Sequence, residues 1–125
     1  MLGLVGAKVN ALEHVSVEEY ASAQGLSVFT MGMRKFALPE YELSGLRPES
    51  SRVAHRFLAT LAQSTLEGNL VTPGMRLGKR NAWLDVVEGG VDRGRWEGIS
   101  VLEILPHKGS DLNQALADWQ AEATR

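Results

Sequence analysis

The sequence predicts an α+β domain: a mostly antiparallel sheet with one long helix and two shorter helices packed on it. Three observations lead there. Two β-rich stretches, Leu26–Met33 and Glu40–Leu46, are separated by so short a connection that they must pair as a hairpin. One apolar stripe at helical spacing runs through residues 49–67. The order strand, helix, hairpin, long helix, three or four strands, helix gives antiparallel neighbours rather than alternating βαβ units.

Taken in order, Leu2–Val9 reads as a short strand. Ser16-Val17-Glu18-Glu19 has the form of a capping box, with Val15 and Tyr20 placed as a hydrophobic staple. With Gly25 as a left-handed stop, this predicts a short helix over 17–24. In the next strand Leu26 and Val28 share one face, and Phe29, Met31 and Met33 the other. After the connection Arg34–Pro39, the strand 40–46 sends Tyr41 and Leu43 one way and Glu40, Glu42 and Ser44 the other. Pro48 suits a first helical turn, since its missing N–H costs nothing there. The long helix places Val53, Phe57 and Leu61 in line, with Ala54, Leu58 and Thr65 alongside, and Gly68 ends it.

Pro73-Gly74 predicts a type II turn, followed by a short strand at 75–78. Strands are expected at 83–88 and 99–105, joined by a glycine-rich charged loop. The latter strand is apolar on both faces and so is expected to be central and covered on both sides. Ser110 is placed to cap a last helix, 111–123, with Leu112, Ala115, Leu116 and Trp119 facing inward.

With 125 residues and 44% apolar content the chain is read as one domain, 1–125. The formal charge of −2 argues against a general polyanion binder. The absence of cysteine excludes disulfides, thiolate ligands and a cysteine nucleophile. No stretch reaches the length of a membrane span, and the N-terminus lacks the form of a signal peptide, so a cytoplasmic protein is expected. The abrupt strand-like start is also compatible with the C-terminal part of a longer chain.

The candidate chemistry is sparse. His14, His55 and His107 fall at no metal-ligand spacing, and no metal or cofactor is expected. Glu40 and Glu42 share one face of a strand; they could serve acid–base work or hold a hard cation, but the simpler reading is a solvated face. On that reading, changing either to glutamine alters stability by less than about 0.5 kcal/mol. Glu103 interrupts an apolar strand, most simply through edge exposure. Gly74-Met-Arg-Leu-Gly78-Lys79-Arg80 lacks the spacing and hydroxyl of a phosphate loop. Arg76, Lys79, Arg80, Arg93 and Arg95 flank Trp83 and Trp96, the residue types that anchor protein partners. The expected binding residues are therefore Arg76, Arg80, Trp83, Arg95 and Trp96 on two neighbouring loops and, separately, the acidic pair Glu40 and Glu42.

The run Thr30-Met31-Gly32-Met33, then Phe36, then Pro39-Glu40-Tyr41-Glu42, resembles the core motif of a bacterial family, domain of unknown function 4261. That family is distantly similar to suppressor-of-fused-like domains. The resemblance extends over about 26–106, through the helix 49–67, Thr72-Pro73-Gly74 with Leu77-Gly78, and Val101–Pro106. A glycine common between the positions of Phe36 and Pro39 is replaced by Ala37-Leu38. The family supplies no catalytic residues. The resemblance implies protein binding, including immunity to toxins or a regulatory role. A non-enzymatic module that binds another protein is the first expectation. A homodimer is compatible with the sequence; a membrane or nucleic acid is not the expected partner. A small hydrolase using Glu40, Glu42 and a histidine is the alternative, with weak nucleic-acid binding behind it.

Overall fold

The computed structural model describes residues 11–77, 84–89, 99–107 and 111–123. The strand expected at 2–9 lies outside them, as do Ser110 and most of both arginine- and tryptophan-bearing loops.

Strand β1, Ser16–Ser22, pairs antiparallel with β2, Gly25–Met31, from Ser16↔Met31 to Ser22↔Gly25. This corrects the helix expected at 17–24. The capping box does not form: Ser16 Oγ donates to Glu18 Oε2, and Glu19 Oε1 accepts from Ser51 Oγ on the long helix. Val17 and Tyr20 favour a strand, and seven paired positions outweigh two local cap bonds. Gly25 does take positive φ, as expected, but to turn a hairpin.

A 3-10 turn, Met33–Phe36, leads from β2 to β3, Glu40–Leu46. β3 runs antiparallel to β2, with an irregularity between the Leu26↔Leu46 and Val28↔Leu43 pairs where Gly45 takes φ 70°. The connection ends on Ala37 at φ 61°, a left-handed residue that is not glycine. An alanine costs roughly 1–2 kcal/mol there, partly offset by its stiffer unfolded chain. Ala37→Gly is therefore expected to raise stability by about 0.5–1 kcal/mol, read as a higher urea midpoint at unchanged slope.

Pro48–Ser50 forms a 3-10 turn that opens helix α1, Ser51–Leu66. Its buried face is Ala54, Phe57, Leu58, Ala62 and Thr65, with Val53 and Leu61 at the margins. Gly68 at φ 112° ends it: its N–H bonds the Thr65 carbonyl and Asn69 N–H bonds the Ser64 carbonyl, a Schellman pair. At the Pro73-Gly74 turn Met75 N–H returns to the Thr72 carbonyl. Then come β4 (Arg76–Leu77), β5 (Leu84–Glu88), β6 (Val101–Pro106) and helix α2 (Leu112–Ala123). Asp111 starts α2, its Oδ1 accepting from Asn113 N–H. Asn113 is itself buried, and its Oδ1 accepts from Arg47 N–H and Ser50 Oγ, tying α2 to the entry of α1.

The sheet order is β1-β2-β3-β6-β5-β4. It is mixed rather than mostly antiparallel, because β3 and β6 at its centre are parallel. The chain between them runs from 47 to 100, long enough for the crossover that a parallel pair requires. β6 is central, as its apolar faces predicted, but among the described residues helices cover one of its sides and not both. There are two described helices, one long and one short, not three. Both pack on one face of the sheet, over Leu26, Val28, Tyr41, Leu43, Leu84, Val86, Leu102 and Ile104. Phe57 and Trp119 join α1 to α2 edge to face, 5.1 Å apart. Among the described residues no helix is long and apolar enough to cross a membrane.

Candidate functional site

Alternation along each strand sends a second set of side chains to the face away from the helices. Phe29 and Val101 form a small apolar cluster there with Met31 and Ile99. The same parity carries Glu42 on β3, Glu103 on β6 and Asp85 on β5.

Glu40 and Glu42 are both fully buried, so the solvated face expected for them is not found. Their carboxylates have different surroundings. Glu40 sits at the entry to β3, where the 3-10 turn wraps its head. Oε1 accepts from Thr30 Oγ1 at 2.8 Å and Met33 N–H at 3.2 Å. Oε2 accepts from Gly32 N–H at 3.1 Å and Arg34 N–H at 3.3 Å. Thr30 Oγ1 in turn accepts from Tyr41 N–H. Three consecutive backbone donors at the start of a turn form a concave anion seat, and here the chain fills it with its own carboxylate. Gly32 makes the seat: it takes φ 126°, and a Cβ there would lie 2.3 Å from the His14 carbonyl oxygen. The Thr30-Met31-Gly32-Met33 and Pro39-Glu40 motif is thus an internal lock, with its acceptor on β3 and its donors at the end of β2 and in the turn that follows.

Glu42 stands opposite Glu103 in the parallel register and opposite Phe29 in the antiparallel one. Glu103 is half-buried on a central strand, which corrects the edge exposure expected for it. Burial first, and the Glu42 carboxylate second, hold the Glu103 carboxyl above the usual carboxylate range. Its neutral form is favoured by the fold. Its contribution to stability is therefore full below the ordinary value and lost as pH rises through the raised one. In a carbon-detected NMR titration Glu103 should titrate above 4.5, the ordinary value. Glu42→Gln should lower its pKa without restoring the ordinary one, since burial is the larger cause. An unchanged Glu103 titration in that variant would show that the two carboxylates do not interact.

Asp85 lies between His107 and Arg76. His107 Nδ1 is 3.1 Å from its Oδ2, and Arg76 Nε is 3.4 Å from its Oδ1. His55 Nε2 lies 3.1 Å from Glu19 Oε1, on the helix side of β1. The Glu19 carboxyl is held below its ordinary range by the Ser51 hydroxyl and then by His55. His14 meets the edge of Phe36. Each histidine thus belongs to a different neighbourhood, and none has a described contact with Glu40 or Glu42. Among the described residues no group of three acidic or histidine side chains could hold a metal ion.

Of the expected binding residues, Arg76 is described: it is exposed and paired with Asp85 at the β4 edge. Arg80, Trp83, Arg95 and Trp96 lie outside the described residues. Their segments attach to the sheet at opposite ends of β5, at 77 and 84 and at 89 and 99. Sequence reasoning overlooked the partnership of Glu42 with Glu103; the signal was a glutamate inside a strand already read as central. It also overlooked Asp85, which nothing in its surroundings marks. Comparison with known protein families, curated proteins and solved structures finds no match.

Proposed function

We propose that this chain is a non-enzymatic protein-binding module that receives its partner along the β1 edge of the sheet. The observation that carries this reading is β1 itself. Among the described residues it is a seven-residue strand at the end of the sheet, with Ser16 and all of Glu18–Ser22 exposed. Natural sheets usually blunt such an edge with lysine, proline, a bulge or a covering element. β1 contains no lysine or proline, and it pairs with β2 in unbroken register. An edge in this state is suited to strand addition by an extended segment, with main-chain hydrogen bonds supplying affinity. The resemblance of the 30–42 motif implies the same class of role, that of an immunity or regulatory protein. Arg76, Arg80 and Trp83 before β5, or Arg95 and Trp96 after it, are the alternative contacts for such a partner.

The hydrolase alternative loses support from the geometry. Glu40 has four donors on its two oxygens and is sealed from solvent. The carboxylate pair that an acid–base reading would now need is Glu42 with Glu103, facing each other on β3 and β6.

The test is capture with the full chain as bait, followed by amide hydrogen exchange on the complex. Slowed exchange across Ser16–Ser22 is the expected result. Protection confined to 78–83 and 90–98 would move the surface to the arginine–tryptophan segments. Turnover of a substrate that disappears in Glu103→Gln, with the fold intact, would replace the binding reading by an enzymatic one.

A further inference from the structure

Resting on the binding role of β1, we infer that its edge selects an extended segment of another protein carrying two adjacent basic residues, and disfavours a second copy of this chain. From residue 9 to residue 33 the sequence has glutamates at 13, 18 and 19 and no lysine or arginine. The whole β1–β2 hairpin is therefore acidic. Arg34 ends that stretch, followed by Lys35, whose Nζ bonds the His14 carbonyl.

Glu18 and Glu19 are consecutive, so they lie on opposite faces of the edge. Glu19 turns to the helix side, where Ser51 Oγ at 2.6 Å fixes its carboxylate as an anion. Glu18 turns to the other side, with Ser16 Oγ at 2.9 Å. A strand added beside β1 alternates its own side chains in the same way. Two adjacent basic residues would then set one cation on each face, each opposite a fixed carboxylate. Opposite charges at facing strand positions stabilise pairing and like charges oppose it.

Self-association meets the reverse situation. The antiparallel register with full overlap of β1 on itself sets Glu19 against Glu19; a one-residue shift sets Glu18 against Glu19 in one direction and Glu19 against Tyr20 in the other. The in-register parallel arrangement sets each glutamate against its own copy. The β1–β1 pairing of greatest overlap thus apposes carboxylates, which does for this edge what lysines do elsewhere.

The experiment uses the full chain and two short fluorescent valine–threonine peptides, one with a central Arg-Arg pair and one with Glu-Glu. Anisotropy measures binding, and amide NMR shifts locate it. The expected result is binding of the Arg-Arg peptide only, with shifts on 16–22 and weakening as salt is raised. Glu18→Lys should weaken it by about tenfold or more, roughly 1.4 kcal/mol, and confer binding of the Glu-Glu peptide. Glu18 is exposed, so this variant should melt with the parent; Glu18→Gln gives an intermediate loss without charge reversal. Equal binding of the two peptides would overturn the charge preference while leaving edge binding standing. A chain that sediments as a dimer and becomes monomeric in Glu18→Lys would overturn the partner assignment. A captured partner that protects other segments would refute this inference without touching the binding role.

Discussion

Glu40→Gln is expected to cost about 2–4 kcal/mol. The amide keeps the shape of the carboxylate but has one acceptor oxygen instead of two. If its nitrogen replaces Oε2, Gly32 N–H and Arg34 N–H face a donor. If it replaces Oε1, Met33 N–H does. Either orientation leaves a buried backbone donor unsatisfied, at about 1–3 kcal/mol each, and removes charge-assisted bonds. Urea unfolding should show a lower midpoint with unchanged slope. A loss under about 0.5 kcal/mol, the figure for a solvated carboxylate, would mean that water reaches the seat.

Phe57→Ala is expected to cost more, about 3–5 kcal/mol, as for other buried aromatic truncations. Phe57 is buried on α1 and meets Trp119 of α2 edge to face. Its loss opens a cavity where both helices meet the sheet, so relaxation at one helix cannot fill it. Domains of this size are stable by about 5–15 kcal/mol. A thermal melt should therefore fall by many degrees, and a melt like the parent's would refute the helix face drawn here.

The long helix was legible because its signals are local and agree: an apolar stripe, a proline at the entry and a glycine at the exit. The β2–β3 hairpin followed from a connection too short for any other pairing, and the central place of β6 from apolar residues on both faces. β1 misled for the opposite reason. A capping box is a four-residue pattern, whereas the strand is decided by pairing with β2 along its whole length. The parallel contact of β3 with β6 joins residues far apart in the chain, and no local pattern names the partner. Glu40 looked like surface because its donors are mostly backbone N–H groups, which have no letter in a sequence. Its neighbour two places on was misread through the same assumption, since the second face was taken to be wet.

The parallel junction of β3 and β6 has a consequence for the order in which the chain is made. β1–β2–β3 and β4–β5–β6 are each antiparallel meanders of local pairing, and this junction alone joins them edge to edge. During synthesis the first meander and α1 emerge well before β6. At about 5–20 residues per second the last residue of β6 follows that of β3 by roughly 3–12 s. Through that interval the nascent chain presents β3, including Tyr41 and the Glu42 carboxylate, as an uncovered edge that the finished protein keeps at its centre. A ribosome-bound chain is thus most open to wrong strand pairing on the side opposite the one it later offers to a partner.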